Sequence, residues 1–248
     1  MTLTRDVVPG VHRIEDSVVN WYLVEGDGRL TIVDCGVPRS WKSLHAALDQ
    51  LGFTTRDVAA IVLTHAHYDH VGFAERARRE LGLPIWLHPG DAELVKRPLR
   101  LRAERGPLRY SVIPNGGLRS GASLALHGAL FTKGVTSVRP YEDGAVLDVP
   151  GKPLAVHTPG HTDGHCSLHL RDRDALIAGD AIVTFDPYTG KRGPRLVAKA
   201  ATHDVEQAMG SLDAIARTGA GTLLVGHGEP YTDGAERAAE LAHREGAA

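Results

Sequence analysis

The densest chemistry in this chain lies in one short run, Thr64-His65-Ala66-His67-Tyr68-Asp69-His70, which sets three imidazoles and a carboxylate within six residues. Side chains two apart in extended backbone point to the same side, so His65 and His67 can address one ion. The turn into a following helix would swing Asp69 and His70 toward a neighbouring point, so one loop can serve two metals. Imidazole nitrogens combined with a carboxylate suit Zn²⁺, and a donor set without thiolate points away from a purely structural zinc knot. A single histidine would be read as an ordinary surface or hydrogen-bonded side chain; this packing of four donors is not.

The elements that must hold these donors are legible around them. Val58 to Leu63, directly before the run, is a continuous apolar stretch rich in β-branched residues, the pattern of a strand buried on both faces. A helix is expected from about Val71 to Leu81, ended by Gly82, and a short strand at Pro84 to Leu87. Upstream, apolar stretches between Val11 and Val33 are broken by Glu25-Gly26-Asp27-Gly28 and read as antiparallel strands joined by a tight turn. Ser40 precedes Trp41, Leu44, Leu48 and Leu51 at helical spacing, with Gly52 as the stop. Strands are expected again at Ala145 to Val149, Leu154 to His157, Cys166 to Leu170, Leu176 to Ala178 and Leu223 to Val225. Asp204 with Gln207 opens one late helix in a near capping box, and Asp233 with Glu236 opens an Ala-rich final one.

The His-X-His-X-Asp-His run resembles the signature of the metallo-β-lactamase-fold hydrolases, and other expected pieces follow in order. These are Val33-Asp34-Cys35-Gly36 at a strand end, the turn Thr158-Pro159-Gly160-His161-Thr162, Gly179-Asp180 after a strand, and Gly226-His227-Gly228 after the last strand. The resemblance implies an α/β fold, an αββα four-layer sandwich of two mixed β-sheets flanked by helices. It also implies that His65, His67 and His161 hold one metal, that Asp69, His70 and His227 hold the other, that Asp180 bridges them, and that Asp34 supports from behind. His161, Asp180 and His227 each lie just past an apolar strand, where loops can converge on one edge of the sheets.

Two divalent ions about 3.5 to 4 Å apart can share a hydroxide and polarise the attacked oxygen, which removes the need for a serine or cysteine nucleophile. The expected cofactors are therefore two divalent ions per chain, zinc first, with iron or manganese as alternatives. Asp69 and Asp180 are the expected catalytic carboxylates, Asp69 passing a proton to the leaving group. The expected reaction is hydrolysis of a lactone, carboxylic ester or thioester. An iron-dependent persulfide dioxygenase on the same fold, a phosphoester hydrolase and a non-catalytic metal-binding module are the rival readings. The carboxylate at 180, where some lactamases place a thiolate, argues against ordinary β-lactam hydrolysis. The tyrosine that quorum-quenching lactonases carry three residues after the bridging aspartate is Val183 here.

The loop from Thr184 to Gly190 follows Asp180 closely enough to border a site, which makes Tyr188 and Phe185 the candidate substrate contacts; the competing reading is a proline-containing turn satisfied by Asp186. Of the remaining histidines, His88, His157, His165 and His169 are expected to support the site, and His12, His45, His127, His203 and His243 to be ordinary. Cys35 and Cys166 read as small buried hydrophobes.

Composition closes off other classes. With 42% hydrophobic residues in 248, the chain can bury a real core, and one domain is expected across 1–248. Its 28 basic and 30 acidic residues leave a net charge of −2, which offers no field for nucleic acid or an anionic membrane. Two cysteines are too few for a disulfide framework, and no secretory or membrane-spanning pattern is visible, so a cytoplasmic address is expected. The segment at about 91–140 stands apart: nine Lys and Arg residues face three acidic ones there. It is read as a lid or insert over the metals, with anion attraction as the weaker alternative. The expected partner is a small molecule, with a homodimer left open.

Overall fold

The computed structural model describes residues 1–106 and 108–248. Seven strands form the first sheet in spatial order β1 (Thr2–Val8), β2 (Val11–Asp16), β3 (Val19–Gly26), β4 (Arg29–Val33), β5 (Val58–Val62), β6 (Ile85–Leu87) and β7 (Arg139–Pro140). The first four pair antiparallel and the rest parallel. The β3–β4 connection shows why. Asp27 and Gly28 both take positive φ, 52° and 72°, the backbone of a two-residue hairpin whose twist matches the flanking strands.

A second sheet orders β13 (Thr222–Val225), β10 (Ala175–Gly179), β9 (Cys166–Leu170) and β8 (Leu154–His157), and it too is mixed, with β10 and β13 parallel. Period-2 alternation sorts its side chains into two cores. On β10, Ala175 and Ile177 face the first sheet, meeting Tyr22, Val33 and Val62. Leu176 and Ala178 face outward and pack with α4 (Val205–Ala216) and α5 (Ala235–Glu245). On the far side, Leu30, Ile32 and Ile61 pack with Trp41, Leu44 and Leu48 of α1 (Ser40–Leu51) and with Ala74 and Ala77 of α2 (Ala74–Leu81). The layers therefore run helices, sheet, sheet, helices, as the family resemblance implies. Among the described residues no helix is long and apolar enough to cross a membrane.

Several local expectations need correction. Ala145 to Val149 is not a strand: only an isolated bridge joins Val146 to Leu154, and Gly151 and Lys152 at positive φ curl the chain. Leu147 and Val149 nonetheless enter the inter-sheet core, so the alternation reports burial without a ladder. The helix expected from Val71 begins at Ala74, because residues 72 and 73 are pinned to the end of β4: Gly72 N–H donates to Gly36 at 2.8 Å and Phe73 N–H to Cys35 at 3.3 Å. α5 starts after Gly234 with no side-chain cap from Asp233. The expected turn at 184–190 is the tip of a small antiparallel ribbon, β11 (Val183–Phe185) with β12 (Arg192–Arg195). Between β6 and β7 the basic segment runs outside both sheets and carries one α-helix, α3 (Arg119–Leu126).

Candidate metal centre

Strand ends deliver the donors. Past β4, Asp34 sits in left-handed backbone (φ 60°), so its carboxylate turns across to the end of β5. Oδ1 accepts the Thr64 N–H at 2.8 Å, and Oδ2 accepts both the Thr64 hydroxyl at 2.8 Å and the Nδ1–H of His70 at 3.0 Å. With its proton committed to Asp34, the Thr64 oxygen accepts from Nδ1 of His65 at 3.0 Å. One carboxylate thus fixes the tautomers of two rings and leaves both Nε2 atoms aimed inward, the outer-sphere arrangement typical of metal-ligating histidines.

His161 lies in the turn between β8 and β9, Asp180 follows β10, and His227 follows β13. His227 donates Nδ1–H to the Val18 carbonyl at 2.6 Å, leaving Nε2 for the centre. Donor atoms of His65, His67 and His161 all fall within 4.8 Å of one another, and so do those of Asp69, His70 and His227. Asp180 stands between these triads: Oδ1 lies 3.6 Å from His70 Nε2, while Oδ2 lies 3.4 Å from His161 Nε2 and 3.2 Å from His227 Nε2. Every residue assigned to a metal from sequence is therefore brought to one place, with Asp34 directly behind.

The chemistry of this set fits divalent metal. Nε2 of His65, His70 and His161 and Oδ1 of Asp180 are buried with no hydrogen-bond partner. Buried polar atoms are ordinarily paired, because an unmade bond costs about 1–3 kcal/mol each, and a cluster of orphans on one point is what cations would satisfy. Burial, reinforced by neighbouring imidazoles, holds His65 and His161 well below the usual histidine range and His67 down to about 3. These rings are neutral, the form that ligates. Burial also opposes charge on His70 and His227, but the Asp180 carboxylate, joined by Asp34 at His70 and by Asp69 at His227, outweighs it and both are raised. The same pairing holds Asp180 ionised, well below the carboxylate range, against the opposing effect of its own burial.

Two residues not assigned to the centre from sequence lock its geometry. Asp91, buried just past β6, accepts from Ala66 N–H, Thr162 Oγ1 and Gly164 N–H, each at 2.8 Å, tying the His65–His70 loop to the His161 turn. His165, expected only as support, accepts the Asp180 N–H through Nε2 at 3.0 Å, with Nδ1 bonded to Thr158 Oγ1 at 2.9 Å. Gly226 is required by crowding: a Cβ there would lie 2.0 Å from Asp180 Oδ1 and 2.9 Å from His70 Cε1.

A pocket of about 60 Å³ opens directly on His67, Asp69, His161, Asp180 and His227, and Tyr188 and Leu124 form part of its wall. Burial, with the nearby Asp69 carboxylate, raises the Tyr188 hydroxyl, so it stays protonated and able to donate. Its loop is also the satisfied turn of the competing reading, since Asp186 accepts from Tyr188 N–H at 3.0 Å and from Thr189 Oγ1 at 2.6 Å. Phe185 is not brought to this pocket. It lines a separate cavity beside Val18 and Glu229, with the Arg192 guanidinium 5.3 Å from its ring centre. Side-chain direction alternates along β11, a strand that no pattern in the sequence marks. His12 bonds Glu25, His45 packs edge-on to Trp41, and His88 stacks on His157 away from the triads.

The model of the metallo-beta-lactamase superfamily matches residues 14–227, from β2 through His227. The chain belongs to that superfamily. Among its curated relatives is the probable metallo-hydrolase YflN of Bacillus subtilis, 29% identical over 92% of this chain and 87% of the relative. Among solved structures, the metallo-beta-lactamase family protein TTHA1429 of Thermus thermophilus is similar at a TM-score of 0.68, with 27% identity over 96% of this chain and 80% of that one. TTHA1623, solved in a di-iron-bound form, is similar at 0.63, with 25% identity over 89% and 92%. The superfamily match agrees with the two His/Asp triads in pointing to divalent metal.

Proposed function

We propose that the protein is a dinuclear metal-dependent hydrolase that cleaves an ester-like bond in a small molecule, a lactone, carboxylic ester or thioester. The observation that carries this reading is the position of Asp180, whose two oxygens face His70 on one side and His161 and His227 on the other. His65, His67 and His161 would hold one cation, Asp69, His70 and His227 the second, with Asp180 shared. When bound, such a pair supplies a nucleophile from water at neutral pH and a Lewis acid for the attacked oxygen. Zinc suits this nitrogen and oxygen set, and the di-iron form of a similar protein makes iron the alternative.

The chain's own groups supply the rest. Asp69 lines the pocket with its Oδ2 3.7 Å from His227 Nε2, a position from which the carboxylate can hold a proton and pass it to the leaving oxygen or sulfur. The Tyr188 hydroxyl donates to a substrate oxygen, and Leu124 and Val197 exclude water around the scissile group. The small pocket suits one short substituent beside the reacting carbon.

The test is elemental analysis of the purified protein followed by a panel of lactones, thioesters, carboxylic esters and phosphodiesters, with oxygen uptake measured on a persulfide. Near two metals per chain with turnover of a carboxylic ester, lactone or thioester supports the proposal. One iron with oxygen consumption, or phosphodiester cleavage alone, overturns it.

A further inference from the structure

On the other side of Leu101 from the small pocket lies a much larger cleft, about 710 Å³, and both spaces share His67, His161 and Leu101 as walls. The two halves of a molecule cleaved at the metal residues are thus offered very different rooms. Charge distinguishes them further. Lys96, Arg97, Arg100 and Arg102 line the large cleft, and the carboxylates beside them are already engaged. Glu93 takes Lys96, Asp163 is shared by Arg102 at 3.3 Å and His203 at 2.9 Å, and Asp91 is saturated by its three internal donors. Among the described residues, Arg97 and Arg100 form no salt bridge, Glu93 pairing with Lys96 and feeling the Arg97 charge only from farther off. The two arginines belong to one turn, Arg100 N–H donating to the Arg97 carbonyl at 2.9 Å, and both exposed side chains line the same cleft.

We infer that this cleft is an anion subsite, in which Arg97 and Arg100 bind a carboxylate or phosphate on the larger half of the hydrolysed ester or thioester. The inference rests on the hydrolase reading for the bond that is cleaved and on the cleft for the rest. Guanidinium presents paired N–H donors that match either anion, and unpaired guanidiniums at a cleft leading to the reacting centre give up no existing ion pair on binding. Such a substrate places its short acyl group beside Tyr188 and Leu124 and runs its charged alcohol or thiol half past Leu101. Hydrolysis balances in this frame: the acyl carbon takes the water oxygen, the C–S or C–O bond breaks, and the departing sulfur or oxygen takes a proton.

Three acetyl thioesters provide the test, those of N-acetylcysteamine (neutral), N-acetylcysteine (a carboxylate) and phosphopantetheine (a phosphate). Their S-ethyl thioethers, which cannot be cleaved, are titrated by calorimetry on the same protein. A charge-assisted contact predicts a KM and a thioether Kd lower by about tenfold for at least one anionic member than for the neutral one. In Arg97→Gln/Arg100→Gln that ratio collapses toward one, whereas Arg97→Lys/Arg100→Lys retains most of it. Whichever of the two anions is preferred identifies the source. Equal binding of neutral and anionic thioethers, or an anionic preference that survives the double glutamine variant, overturns the subsite. Absence of turnover of every thioester, carboxylic ester and lactone counts against the hydrolase reading, and the thioether titrations then still decide the cleft.

Discussion

The main-chain N–H of Asp180 donates to Nε2 of His165 at 3.0 Å, so the carboxylate that faces both triads is aimed by a ring that takes no direct part in them. Thr158 Oγ1 holds the other nitrogen of that ring at 2.9 Å. Replacing His165 with Ala leaves a buried N–H without its acceptor, at a cost of about 1–3 kcal/mol. It also frees Asp180 to turn, for which a loss of about 10–100-fold in metal affinity is expected. Chelator competition reads the second effect and thermal melting the first. Unimpaired metal affinity in His165→Ala would remove the positioning role.

The same residue predicts a pH dependence for the metal-free protein. Burial lowers His165 to about 3, below the usual histidine value near 6.5. Above the unfolded value both states are neutral and the ring contributes its full stability. As pH falls below about 6.5 the unfolded chain takes up a proton that the folded one refuses, so stability declines until the folded ring itself titrates near 3. Denaturant unfolding at successive pH values below 6.5 is expected to show a shallower decline in His165→Gln than in the parent, by about one proton's worth of slope. Identical slopes would contradict it.

Asp91 joins two ligand loops through three donors, and an amide can accept with only one of its two polar atoms. Asp91→Asn therefore sets an NH2 group against at least one N–H or hydroxyl donor, and a stability loss of about 1–3 kcal/mol is expected together with weaker metal retention. Melting temperature and metal content after dialysis check both. Full stability with full metal would show that the three bonds are dispensable.

Gly226→Ala tests crowding at the centre. The added methyl would overlap Asp180 Oδ1 at 2.0 Å, so either the carboxylate or the β13 end must shift. The expected product is a folded protein, by circular dichroism, that retains less metal than the parent. Parent-like metal content would show that Asp180 has more room than its surroundings indicate.

Part of the centre was legible from local spacing, and the rest through the family resemblance. His65, His67, Asp69 and His70 sit in one run, and the others follow apolar strands that announce themselves. Asp91 escaped because its donors lie 25, 71 and 73 residues away and its immediate neighbours, Pro89, Gly90, Ala92 and Glu93, form no apolar pattern that marks it as buried. β1 escaped for a different reason: it is an edge strand whose apolar residues, Leu3, Val7 and Val8, show no period-2 alternation to read. The β11–β12 ribbon was hidden by Pro187, Gly190, Gly193 and Pro194, which read as loop, and with it the outward course of Phe185. Ala145 to Val149 erred the other way, showing strand alternation in a segment that buries side chains with one isolated bridge and no ladder.

Asp69 is both a donor to one triad and the proposed proton carrier, and these roles separate in Asp69→Asn assayed at full metal occupancy. A fall in kcat of about 10²–10⁴ with little change in KM is expected if the carboxylate moves the leaving-group proton. Unchanged turnover at equal metal content would leave it a ligand only.

Anomalous diffraction at the metal absorption edges from crystals of the protein as purified measures the central claim most directly. The account predicts two ions, one on His65, His67 and His161 and one on Asp69, His70 and His227, with Asp180 contacting both. A single ion, or anomalous signal only away from Asp180, would contradict it.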